Sequence, residues 1–181
     1  MASKRRRSAD PRKKIWPVPP VRKLDAAWLE GRVAAGYWEE APNRRRYMWW
    51  LGQRLGFKKI EDWYRITTND FKTHRGAGVL YAYWNSSAIA AVQETFPDYD
   101  WKEWLFSGTP KGFWDSRRNR RRYLEWLGAE LGYKEPDDWY AITQHDFYAH
   151  RGIQVLKLYN SSPMAAVKEL LPKRAWKEWM F

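Results

Sequence analysis

The chain has 181 residues, enough for one ordinary domain or two small ones, and it contains no cysteine, which excludes a disulfide framework, a thiolate zinc site and a cysteine nucleophile. It carries 14 Trp and a net charge of +12. Charged side chains interrupt the apolar runs every few residues, so neither a membrane span nor a signal-peptide core is expected, and the composition is that of a soluble protein.

Most of the positive charge sits at the N-terminus. Residues 1–23 hold nine Lys or Arg against Asp10 alone, a local charge of +8 that leaves +4 for the other 158 residues. A block of like charge interleaved with prolines cannot bury a core, so residues 1–23 are expected to be a basic arm that is disordered in isolation. Lys4, Arg5, Arg6, Arg7, Arg12, Lys13 and Lys14 are its candidate phosphate contacts. The stretch KRRRSADPRKK also resembles a bipartite nuclear import signal, which gives the nucleus as the expected compartment, with the cytoplasm or an organelle as the alternatives. Residues 24–35, inside the amphipathic stretch LDAAWLEGRVAAGYW, are expected to form a helix that caps the first helical module.

From Gly36 onward the chain repeats itself. Asn43, Trp63 and His74 return as Asn119, Trp139 and His150 at an offset of 76, and Ser87 and Phe106 return as Ser162 and Phe181 at an offset of 75. The pattern predicts two homologous helical modules in tandem, residues 36–106 and 112–181, joined by the linker 107–111. Tyr47, Trp50, Leu51 and Leu55, like Tyr123, Trp126, Leu127 and Leu131, recur at helical spacing, with Gly56 or Gly132 as the stop. Thr67 with Asp70, and Thr143 with Asp146, have the spacing of a capping box; Ile66 with Phe71, and Ile142 with Phe147, have that of a hydrophobic staple. A further helix is expected after Ser87, and after Ser162 with Pro163 at its first position. No segment alternates like a strand, so the fold class is all-α.

Chemistry-bearing residues are few. Arg44, Arg45 and Arg46, like Arg120, Arg121 and Arg122, are expected in the first turns of a helix, where the macrodipole opposes cations and an anion must compensate. Glu39, Glu40 and Asp115 are local candidates for that anion, and the phosphates of a nucleic acid are the alternative. Arg117 and Arg118 add to the second cluster. His74-Arg75-Gly76 and His150-Arg151-Gly152 are read as a basic last turn before a left-handed glycine rather than as catalytic groups. Five Trp pairs recur (38/114, 50/126, 63/139, 101/176 and 104/179) and are assigned to the cores. Trp16, Trp28, Trp49 and Trp84 have no aromatic counterpart at the equivalent position, and Trp49 and Trp84 are taken as candidates for base stacking or partner contact. The two NSS sequons at Asn85 and Asn160 are better explained as loops leading into serine caps.

The run YWNSSAIAAVQETFPDYDWKEWLF, echoed as LYNSSPMAAVKELLPKRAWKEWMF, resembles the helical repeats found beside homing-endonuclease and related DNA-processing domains. Those repeats pattern as Ser, then Ala, then an aromatic or Pro, then Trp. The resemblance covers about a third of each module, and the upstream NRRRY half departs from it. It implies an accessory nucleic-acid-binding module; no nuclease motif accompanies it.

The expected function is therefore a non-enzymatic nucleic-acid-binding protein, its ligand DNA or RNA, with no metal, cofactor, membrane or small-molecule substrate. The alternative is an architectural or protein-interaction subunit of a large assembly such as a ribonucleoprotein.

Overall fold

The computed structural model describes residues 26–172 and 174–181; the basic arm and Trp16 lie outside them. Among the described residues every regular element is an α-helix or a 3₁₀ turn, and none is a strand. The chain divides into two compact units between Trp101 and Lys102. That division falls upstream of residues 107–111, where composition suggested a linker.

In the first unit the helices are α1 (Ala41–Arg54), α2 (Thr68–Thr73), α3 (Ala77–Trp84) and α4 (Ala88–Thr95). In the second they are α5 (Arg117–Glu130), α6 (Gln144–Ala149), α7 (Ile153–Lys157) and α8 (Pro163–Leu170). α1 packs against α4, and α4 and α2 both pack against α3; in the second unit α5 packs against α8, and α6 against α7. Helices this short are marginal alone, so aromatic packing must hold them together. Tyr47, Leu51, Trp63 and Phe71 are fully buried in the first unit, and Tyr123, Leu127, Phe147 and Leu156 in the second.

Local signals set the boundaries. The Thr67 hydroxyl accepts from the Asp70 amide at 3.3 Å while the Asp70 carboxylate accepts from the Thr67 amide at 2.7 Å, and Thr143 with Asp146 repeats both bonds at the same distances. Ser87 and Ser162 cap α4 and α8 by accepting from Ala90 and Ala165.

Several expectations need correction. In the described part of the expected capping helix over 24–35 there is no α-helix, only one 3₁₀ turn, Ala27–Leu29. Gly31 has φ 141° and Gly36 φ 78°, conformations that break helical continuity and that a side chain would strain. The left-handed residue that ends α2 and α6 is the arginine, not the glycine: Arg75 and Arg151 have φ 61° and 62°. The next amide, on Gly76 or Gly152, bonds back to the Phe71 or Phe147 carbonyl at 2.7 Å, the Schellman closure. The glycine is required for a different reason, since a Cβ on Gly76 would lie 1.9 Å from the Tyr47 hydroxyl oxygen, and one on Gly152 would lie 2.1 Å from that of Tyr123. The helices α3 and α7 follow these glycines and carry no polar cap, which is why no boundary signal announced them.

Trp28 has a counterpart after all. Its ring centroid lies 5.7, 5.6 and 5.8 Å from those of Trp38, Tyr47 and Trp50. Trp104, 76 residues later, lies 6.2, 5.5 and 5.5 Å from Trp114, Tyr123 and Trp126. Each closes a cage of three aromatic rings and is buried there. Trp179, assigned to a core as the partner of Trp104, is instead 81% exposed.

Candidate nucleic-acid interface

The arginine clusters resolve into structural and free members. Arg44 donates from Nη1 to the carbonyls of Trp38 and Glu39 at 2.7 and 2.8 Å and from Nε to Glu94 at 2.9 Å. Arg120 repeats this with Trp114 and Asp115 at 2.7 and 2.9 Å, its Nε donating to the Tyr159 hydroxyl at 2.9 Å. The compensating carboxylates are therefore Glu94 and Glu169 on α4 and α8, not the side chains of Glu39, Glu40 or Asp115. Residues so far apart in sequence meet because α1 packs on α4 and α5 on α8. Arg117 also pairs with Glu169, Arg121 with Glu125 and Arg122 with Glu103, while Arg46 donates to Asn43. Arg45 and Arg118 are exposed, with no carboxylate bonded to them among the described residues. Lys4, Arg5, Arg6, Arg7, Arg12, Lys13 and Lys14 lie outside the described residues.

Glu169 stands at the centre of one network. It accepts from Tyr159 at 2.5 Å and from Arg117 at 2.7 Å. Burial pulls its carboxyl upward, but these hydrogen bonds and the charges of Arg117 and Arg120 outweigh that and hold it below its ordinary value. Burial, with the hydrogen bond to Glu169, pushes the Tyr159 phenol up to about 12.

Of the two tryptophans proposed for stacking, Trp84 is buried and donates its indole N–H to Glu94 at 2.8 Å, so its ring offers no free face. Contrary to the expectation that Trp84 has no aromatic counterpart, Tyr159 stands 75 residues on and meets Glu169 in the same way. Trp49 is half-buried on α1.

The second unit also holds a cavity of about 590 Å³ that no sequence motif pointed to, lined by the rings of Tyr133, Trp139 and Trp176 and by Arg121, Lys134, Glu135 and Arg174. It lies where the two units differ in sequence. In the first unit Trp63 is fully buried between Phe57, 5.0 Å away, and Phe96, 5.3 Å away. In the second, Tyr133 keeps the first contact at 5.2 Å, but Leu171 replaces Phe96 and Trp139 is left half-buried. The stretch FPDYDW becomes LPKRAW, so two acidic residues give way to a cation and an alanine, and a tyrosine to an arginine. The signal was present in the alignment of the repeats, which exposes where they differ as well as where they agree.

Three of the four charged side chains in the lining are cationic. Arg174 lies 5.4 and 5.2 Å from the Tyr140 and Trp176 ring centroids and pairs with Asp137, whose side chain is largely exposed. Surface pairs of this kind contribute little, about 0–1 kcal/mol, so a phosphate can displace the carboxylate at small cost. Lys134, in the same lining, is exposed. Burial, then the charges of Asp146 and Asp138, raises the Tyr133 phenol, which therefore stays protonated as a donor. A second cavity of about 360 Å³ in the same unit is lined by Trp104, Trp114, Arg151, Gln154 and Lys157 among others.

His74 and His150 take the capping arrangement: each Nδ1 lies 2.8 Å from the carbonyl oxygen of Asp70 or Asp146, and each ring stands edge-on to Trp50 or Trp126. No helix of the described residues is long and apolar enough to cross a membrane, and no three of their His, Asp or Glu side chains are grouped to hold a metal ion. Searches of protein-family models, curated proteins and solved structures find no match to the chain.

Proposed function

We propose that the chain is a non-enzymatic nucleic-acid-binding protein whose second unit stacks an unpaired base in the cavity over Trp139 and Trp176. The observation that carries this reading is the pairing of aromatic rings with three cationic side chains in a cavity of about 590 Å³, a size suited to a planar ring and its sugar. Arg121, Lys134 and Arg174 neutralise the flanking phosphates, and the basic arm supplies further, sequence-independent attraction. A base enters such a cavity only when it is unstacked, so the favoured ligand is single-stranded RNA or DNA, or a looped region of a folded one. The resemblance to repeats that accompany DNA-processing domains fits an accessory role of this kind, and the import-like arm fits action in the nucleus.

The test is titration of the full-length chain with single-stranded oligonucleotides, read by tryptophan quenching at several salt concentrations. Affinity should fall with salt, by about 0.7 logarithmic units per neutralised phosphate for each tenfold rise. Lys134→Glu and Arg174→Met should each weaken binding, the methionine keeping the apolar stem over the two rings. The reading fails if the chain shows no salt-sensitive binding to single strands, duplex DNA or structured RNA.

A further inference from the structure

Three short 3₁₀ turns place a tryptophan at the same register: Ala27–Leu29 around Trp28, Glu103–Leu105 around Trp104 and Glu178–Met180 around Trp179. The first two tryptophans are 3% and 2% exposed, each seated in its aromatic cage. An arginine bonds the end of each of these two turns: Arg75 donates to the carbonyl of Leu29, the last residue of the first turn, at 3.2 Å, and Arg151 to that of Phe106, the residue after the second, at 3.0 Å. The third turn has nearly the sequence of the second, KEWMF against KEWLF, but Trp179 is 81% and Met180 45% exposed.

This exposure does not come from a loose end. The Lys177 amide donates to the Tyr140 hydroxyl at 3.1 Å, and Phe181 packs on Tyr140 and Trp176 with centroids 4.9 and 5.9 Å apart. Lys168 pairs with Glu178. Both flanks of the turn are thus fixed to the second unit, and the indole between them points into solvent, already ordered for insertion.

We propose that the Trp179 turn is a plug for the aromatic cage of a further module of this same kind. The partner is a helical module presenting the Trp, Tyr, Trp triad and the arginine of the HRG turn, with no leading tryptophan of its own. The cages of Trp28 and Trp104 are filled from within the chain, where an intramolecular occupant has a large advantage in effective concentration, so a second wild-type copy is a poor recipient. An open cage has no such competitor. The buried indole supplies the anchor, and the arginine adds a hydrogen bond to a backbone carbonyl at the end of the turn.

Full-length chains provide both donor and recipient. Trp28→Ala combined with Trp179→Ala opens the first cage and removes the plug; the wild-type chain is the donor. Sedimentation of the mixture should give a 1:1 complex, which Trp179→Ala in the donor should weaken by about tenfold or more. Absence of a complex with a recipient whose circular dichroism is native overturns the proposal, as does a complex indifferent to Trp179→Ala. If the recipient does not fold, the octapeptide RAWKEWMF should raise its melting temperature or restore its helicity, and the same peptide with Ala for the second Trp should not; no difference between them also overturns it. Self-association of the wild-type chain that Trp179→Ala abolishes would replace the proposed partner by a second copy. Oligonucleotide binding by the same variants is an independent reading, because Trp179 does not line the cavity over Trp139.

Discussion

The Tyr47 hydroxyl and Gly76 occupy nearly the same space: a Cβ on that glycine would stand 1.9 Å from the phenol oxygen and 2.5 Å from the carbon that bears it. Tyr47 is fully buried, donates to the His74 carbonyl at 3.3 Å and cannot swing into solvent. Gly76→Ala should therefore destabilise the first unit by about 1–3 kcal/mol or more through overpacking, and Gly152→Ala the second by a similar amount through Tyr123. Urea unfolding of both variants checks this, and a loss below about 0.5 kcal/mol in either would contradict it.

Gly52 and Gly128 face a similar clash with different expected outcomes. A Cβ on either meets the ring of Trp63 or Trp139 at 2.6 or 2.5 Å. Alanine gains about 1 kcal/mol of helix propensity in both places, but Trp63 is enclosed whereas Trp139 borders a cavity into which it can shift. Gly52→Ala should be clearly destabilising and Gly128→Ala nearly neutral. Because the shifted ring would fill the cavity, Gly128→Ala should also reduce oligonucleotide affinity.

Acid should unfold the protein through identifiable carboxylates. Asp62 is held below its ordinary value first by the Lys58 amide, with burial opposing and the Lys59 amide and Arg65 adding to it; Asp138 is held low first by the Glu135 amide and then by that of Lys134. Glu169 is lowered as well. A folded-state pKa below the unfolded one, near 4, contributes stability that is present above the unfolded value and lost as pH falls through the folded one. The melting temperature should therefore be flat near neutrality and decline between about pH 4.5 and pH 2, and Asp62→Asn or Glu169→Gln should lower the plateau and flatten the decline.

At the alkaline end the sign reverses. Tyr159, pushed up to about 12, contributes stability that is complete below the unfolded phenol value near 10 and lost as pH rises through the folded one. Burial raises the Tyr47 and Tyr123 phenols as well, so Tyr159→Phe should reduce the alkaline loss without abolishing it, at the cost of the hydrogen bonds to Arg120 and Glu169, seen as a lower melting temperature at pH 7.

Affinity for single strands should follow the rim of the Trp139 cavity. Lys134→Glu should reduce the salt slope by about 0.7, while Arg44→Lys, in a guanidinium held by two carbonyls and Glu94, should lower stability and leave that slope unchanged. Measuring both properties in both variants distinguishes a phosphate contact from a structural arginine.

Periodic apolar positions were enough to settle the helical class, and the starts of α2, α4, α6 and α8 were legible because a cap and its partner lie within three residues of each other. The same chain order marked Arg44 and Arg120 as cations in need of an anion. That Glu94 and Glu169 supply it emerged only in three dimensions, since those pairings require packed helices some fifty residues apart. The burial of Trp84 and the exposure of Trp179 were likewise out of reach: a tryptophan carries the same periodic signal whether the cage that receives it is present or not. The cavity over Trp139 lies where Phe96 of the first unit is matched by Leu171 in the second, and only the surrounding packing shows whether such a difference is filled or left open.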